Sequence, residues 1–124
     1  MKLTVQQIDG SGLVRLAAEG DVTILDANPI TNPLLQVLGP QWASYRVVLS
    51  MAKCAFVDSS AIGWLLNCQK EFAKAGGIMV IYAAPKAVRQ TLDLLRLREA
   101  LKVVDDEAAA HAMIAAQAQG AGAK

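Results

Sequence analysis

The sequence predicts a single α/β domain: a mixed, mainly parallel β-sheet with an N-terminal hairpin and helices packed on it. Three features predict it. The chain opens on two short, partly alternating segments joined by Asp9-Gly10-Ser11-Gly12, where glycine permits the backbone angles of a tight hairpin. Beyond residue 45, compact runs rich in Val and Ile take turns with segments of helical periodicity, the pattern of strand–helix–strand units. The length of 124 residues and the 54% hydrophobic content suit one domain, whose core must be Val, Leu, Ile and Ala because only 5% of residues are aromatic.

Taken in order, Lys2 to Ile8 places Leu3 and Val5 on one face of a first strand, and Leu13 to Ala18 resumes the alternation in a second. Glu19-Gly20-Asp21 ends it. In residues 22–45, Asn28-Pro29 and Asn32-Pro33 each pair a capping residue with a proline suited to the first helical position. Either pair can open a helix. The second precedes Leu34-Leu35-Gln36-Val37-Leu38, which Gly39-Pro40 stops. Arg46-Val47-Val48-Leu49-Ser50 reads as a buried strand.

Asp58-Ser59-Ser60 then supplies capping residue types for a helix to about Lys74, with Ile62, Leu65, Leu66, Phe72 and Ala73 at helical spacing and Gly76-Gly77 at its exit. Trp64 and Cys68, one turn apart, fall on a face distinct from Ile62, Leu65 and Phe72. They either pack against a neighbouring helix or leave Trp64 as a partly exposed anchor for a partner. Ile78 to Tyr82 is a further buried strand. Pro85 opens a helix through about Leu95 on the spacing of Val88, Leu92 and Leu95. Leu101 to Val104 forms a last strand, and Asp105 or Asp106 caps an Ala-rich helix to about Ala116. The domain therefore spans residues 1–116, with a frayed tail over 117–124.

With 12 basic and 11 acidic residues the net charge is +1, so a broad electrostatic footprint for direct nucleic-acid contact is absent. Arg89, Arg96 and Arg98 with Lys86 and Lys102 form a local basic stretch of the kind that is usually solvated. No apolar stretch approaches the ~20 residues of a spanning helix, so membrane insertion is not expected. The N-terminus has no secretory pattern, which makes the cytoplasm the default. Cys54 and Cys68 read as buried, reduced thiols rather than a disulfide framework.

Catalysis finds little footing. There is no phosphate-binding glycine loop, because the glycines at 10 and 12 sit in a hairpin. A nucleophilic Ser59 or Ser60 would need a base, and the single histidine, His111, falls on the Ala-rich helix in a solvated setting. One His and two Cys fourteen positions apart make no metal site, and no cofactor is implied.

The segment Asp58-Ser59-Ser60-Ala61-Ile62-Gly63-Trp64 is the most informative. Two hydroxyls stand after a strand and at a helix start, where Ser and Asp ordinarily cap free amides. The same position also accommodates negative charge. A phosphate on Ser59 would bring about −1.5 to −2 charge to the helix N-terminus, beside Asp58, and a partner packed there would have to desolvate it.

Asp58-Ser59-Ser60-Ala61-Ile62-Gly63 resembles the Asp-Ser-Ser/Thr-Gly-Leu-Gly motif of STAS domains of the bacterial anti-sigma-factor-antagonist type. Glu19-Gly20-Asp21 resembles the family's Gly-Glu-Leu-Asp region with the order altered, and Ala75 to Val80 its Gly-Gly helix-to-strand junction. Pro85-Lys86-Ala87-Val88-Arg89 followed by Leu92 is similar to its next helix. Two departures stand out: Ala61 replaces the usual glycine, and residues 22–45 lack the family's longer, charged first helix.

The resemblance implies a STAS-like fold and a module without catalysis of its own, switched at Ser59. Unphosphorylated, it would bind an anti-sigma factor that is itself a serine kinase, and so release a sigma factor. Phosphorylation would reverse this, and a serine phosphatase would restore binding. Asp58, Ser59, Ser60, Ala61, Ile62, Gly63 and Trp64 would form the partner-binding segment, with Gly63 allowing close approach. A non-phosphorylated scaffold subunit of a transport or stress-signalling complex is the competing expectation. A homodimer through the apolar helices stays open.

Overall fold

The computed structural model describes residues 2–8, 13–20, 33–54 and 59–122. The strands are β1 (Lys2–Ile8), β2 (Leu13–Glu19), β3 (Arg46–Lys53), β4 (Ile78–Tyr82) and β5 (Val103–Val104). The helices are α1 (Pro33–Leu38), α2 (Ser59–Ala75), α3 (Lys86–Leu94) and α4 (Glu107–Gly122), with a 3-10 turn over Trp42–Ser44. The five strands form one sheet in sequential order, β1-β2-β3-β4-β5. β1 and β2 pair antiparallel, and the remaining pairs are parallel. This is the mixed, mainly parallel sheet with an opening hairpin that the sequence predicts. The turn at 9–12 and the Asn28-Pro29 alternative lie outside the described residues.

Alternation divides the sheet into two faces. In β2, Val14, Leu16 and Ala18 are buried, and with Val47, Leu49, Met79 and Ile81 they form the floor of the main core. Helices α1, α2 and α3 cover that face through Leu34, Leu65, Phe72, Val88 and Leu92. On the opposite face Val48, Ile78, Val80 and Tyr82 meet Ala110 and Ile114 of α4. β4 is buried at every position because helices cover both of its sides. On the β1–β2 half of that second face Leu13 packs against the α4 cluster, while Arg15 and Ala17 are half-buried.

Several boundaries differ from the sequence expectation, each for a tertiary reason. β3 continues to Lys53 because β2 runs alongside it to Glu19, with an irregularity between Ala17 and Glu19. β5 keeps only Val103–Val104, since pairing with β4 is confined to Ile81 and Tyr82. α3 stops at Leu94, and Arg96 takes a left-handed backbone with φ of 58° as Leu97 N–H returns to the Leu92 carbonyl. Asp106 caps α4 by accepting from Ala109 N–H at 2.8 Å, while Asp105 pairs with Arg98 at 2.6 Å. α4 is helical to Gly122, past the expected end near Ala116.

Two polar details fix the layers. Gln69, buried mid-helix in α2, donates through Nε2 to the Met79 carbonyl at 2.9 Å and the Leu101 carbonyl at 2.7 Å. It ties α2 to β4 and to the approach to β5. Gly77 lies so close to the Ala43 and Tyr45 carbonyls that any Cβ there would collide with backbone. Trp42 meets Phe72 edge-on, with ring centroids 5.2 Å apart, which seats the 3-10 turn against α2.

Candidate functional site

The motif segment follows the C-terminal end of β3, and that end is firmly held. Gly20 N–H donates to the Lys53 carbonyl at 3.1 Å, and Cys54 N–H to the Met51 carbonyl at 3.0 Å. The Cys54 thiol reaches the Ala18 carbonyl at 3.5 Å, and Lys53 pairs with Glu19 at 3.4 Å. Neither cysteine is in a disulfide and both are buried, as the sequence leads one to expect. Burial pushes the Cys68 thiol up to about 12, with Glu71 adding to the shift, so it stays protonated at neutral pH.

Asp58 lies outside the described residues. Ser59 is the first residue of α2 and Ser60 the second, the helix start that the capping signals predict. The residues after them divide sharply. Ala61 is wholly buried, and Ile62, Trp64 and Leu65 are core residues as well. Gly63 is exposed, and a Cβ there would meet nothing within 4 Å. Asn67, Lys70 and Lys74 continue this outer stripe. With 3.6 residues per turn, position 63 stands about one turn into the helix that Ser59 opens.

Trp64 is therefore packed, at 8% exposure, in the same cluster as Ile62, Cys68 and Phe72. Of the two expectations for Trp64, that of a partly exposed anchor gives way, since Trp64 and Cys68 are both buried. α2 packs on β4 and against the 3-10 turn, in one core with residues of α1 and α3, so its apolar arc is wider than a single stripe. Of the motif residues whose side chains are described, Gly63 alone faces outward. Ala61 at zero exposure leaves little room for a larger side chain there.

A second polar group stands on the opposite face of the sheet, and the sequence reading did not assemble it. The Arg15 guanidinium meets the Glu107 carboxylate, with Nη2 donating to Oε1 at 2.9 Å and Nε lying 2.7 Å from Oε2. Arg15 Nη1 donates to Gln7 Oε1 at 3.3 Å, and His111 Nε2 lies 3.0 Å from Glu107 Oε2. Burial raises the Tyr82 phenol, with Glu107 adding to the shift and Ser50 and Arg15 opposing it. His111 and Arg15 hold the Glu107 carboxyl below the usual carboxylate range, against a smaller opposing effect of burial. The Glu107–His111 spacing of four on a helix was the one legible signal. Nothing local marked Arg15 as their partner across 92 positions.

His111 is thus half-buried and bonded rather than freely solvated. It stands on α4, across the sheet from Ser59 on α2, so the fold does not bring the two together as nucleophile and base. Among the described residues no group of three or more His, Cys, Asp or Glu could hold a metal ion. Among the same residues no helix is long and apolar enough to cross a membrane.

Solved structures share this architecture. The chain superimposes on a candidate anti-sigma factor antagonist from Thermotoga maritima with a TM-score of 0.72 and 19% identity, covering 87% of this chain and 91% of that one. An anti-sigma factor antagonist from Mycobacterium paratuberculosis gives 0.68 and 16% identity, with 91% and 94% covered. The murine solute carrier 26 member A9 anion transporter gives 0.69 and 14% identity, with 85% of this chain but 18% of the transporter covered. At such identities the likeness is one of fold. The sequence itself matches the family model of the STAS domain over residues 2–110. The sheet order, the helix that opens on Ser59 and that match together place the chain in the STAS domain family.

Proposed function

We propose that this STAS domain is an anti-sigma-factor antagonist: a protein-binding module of transcriptional signalling, switched by phosphorylation of Ser59. The observation that carries the reading is the division at the head of α2. Ala61, Ile62, Trp64 and Leu65 secure the helix to the core, while Ser59 begins it and Gly63 leaves its outer side bare. A helix so secured does not depend on a free hydroxyl at its first position. A phosphate there sits at the positive end of the helix dipole, where it is tolerated, and adds about −1.5 to −2 charge to the contact surface. A partner that docks on the neutral surface then has to desolvate that charge, and it leaves.

In this reading the unmodified domain holds an anti-sigma factor with serine-kinase activity, and a sigma factor goes free. Asp58 and Ser60 shape the local charge and the turn, and Gly63 lets the partner's backbone approach. A serine phosphatase resets the switch, and the domain itself is substrate and regulator without catalysis of its own. Likeness to two proteins named as anti-sigma factor antagonists, one of them as a candidate, supports the reading. So does the motif at 58–63.

Phosphopeptide mapping tests it. The protein is purified from its native cells and, separately, incubated with the cognate kinase and ATP. Phosphate on Ser59 is expected in both samples, and phosphate nowhere in 58–60 removes the switch. The likeness to part of an anion transporter favours a second reading, a constitutive scaffold subunit. Normal cellular function of Ser59→Ala, with Ser59→Asp retaining its partner, would select that alternative.

A further inference from the structure

Between α4 and the β1–β2 hairpin lies a half-open cavity of about 350 Å³, lined by Gln7, Leu13, Arg15, Glu107 and His111. It is on the sheet face opposite α2, so nothing in it depends on Ser59. The volume is within the range of small-molecule sites, which pair an apolar wall with a few convergent polar groups. Here Leu13 is the apolar wall.

The hydrogen-bond capacity of the lining is unbalanced. Arg15 has five N–H donors. Glu107 Oε1 and Gln7 Oε1 take one each, and the buried Nε faces Glu107 Oε2 at 2.7 Å without a hydrogen bond, which leaves N–H groups of the two Nη atoms to spare. The Gln7 amide oxygen is taken by Arg15, so its exposed NH₂ is left over. The one carboxylate is already engaged by Arg15 and His111. The cavity therefore offers surplus donors and no vacant carboxylate.

We propose that this cavity binds a small organic carboxylate, its oxygens on Arg15 and Gln7 and its short aliphatic part on Leu13. A cation finds only a carboxylate that is already paired. A phosphate dianion meets Glu107 at close range, which a singly charged, planar carboxylate tolerates beside a guanidinium. The pairing of Arg15 with Glu107 in the free protein keeps the guanidinium in place for its ligand.

The test is an amide-resolved NMR titration of the full chain with sodium butyrate, beside butylamine hydrochloride and inorganic phosphate at matched ionic strength. Butyrate is expected to give saturable shifts at residues 7, 13, 15, 107 and 111, with a dissociation constant on the order of millimolar. Arg15→Gln abolishes them. Gln7→Ala, at an exposed edge position that leaves the Arg15–Glu107 pair alone, weakens binding about threefold with the fold unchanged. Three results overturn the proposal: drift with butyrate that never saturates, equal saturation by the amine or by phosphate, or undiminished affinity in folded Gln7→Ala. Because Gln7→Ala does not rely on the fate of Arg15→Gln, the outcome is decided even if loss of the guanidinium undocks α4.

Discussion

Gly63 and Gly77 carry the same residue type for opposite reasons, and the difference can be measured. A methyl group at 77 collides with the Ala43 and Tyr45 carbonyls, which are backbone and cannot rotate aside. Gly77→Ala is expected to cost about 3 kcal/mol in urea denaturation, at the upper end of overpacking penalties. At 63 the space is open and the helix continues, so Gly63→Ala should add about 0.5–1 kcal/mol of stability. If a partner's backbone approaches this position, the same substitution weakens binding while it strengthens the fold, and calorimetry on the pair separates the two effects. Gln69 is the third telling residue. Gln69→Leu leaves the buried Met79 and Leu101 carbonyls without their donor, and a loss of about 2 kcal/mol is expected from chemical denaturation. A loss under 0.5 kcal/mol would mean that water takes the place of the amide.

Among the elements, α4 has the most unusual attachment. It is rich in alanine, and it meets the sheet through Ala110 and Ile114 with Arg15–Glu107–His111 at its first turn. The Glu107 carboxyl is lowered in the folded state, so its contribution is fully present above the unfolded carboxylate pKa. That contribution fades as pH falls through the folded one. Melting temperature should therefore drop through the acid range, and Glu107→Gln should flatten that limb while lowering the neutral plateau. An unchanged acid limb in Glu107→Gln would assign the pH dependence elsewhere. The order of these elements was legible in the sequence because each strand and helix announces itself locally, by β-branched runs or by apolar residues at helical spacing. What periodicity could not supply was the partner. The ends of β3 and β5 depend on neighbouring strands, the packing of Trp64 on the breadth of the α2 interface, and the Arg15–Glu107 pair on two elements far apart in the chain. The 3-10 turn was missed because its seat is Phe72, on another element.

For the whole molecule, the sheet and its helices hold the fold, and in the proposed switch the head of α2 carries the signal. The candidate site was legible as a segment, since the hydroxyls after a strand and before a helix stand in order at 58–63. How it divides into core and surface was not, because burial of Ala61, Ile62 and Trp64 is decided by elements that arrive later in the chain. The most direct measurement of the proposed switch is a paired one on Ser59→Asp, thermal melting beside binding of the proposed partner, an anti-sigma factor kinase. A melting temperature within about 2 °C of the unsubstituted protein, together with loss of the kinase, is the expected result. A domain that unfolds on gaining the charge, or one that keeps its kinase with the charge in place, would contradict it.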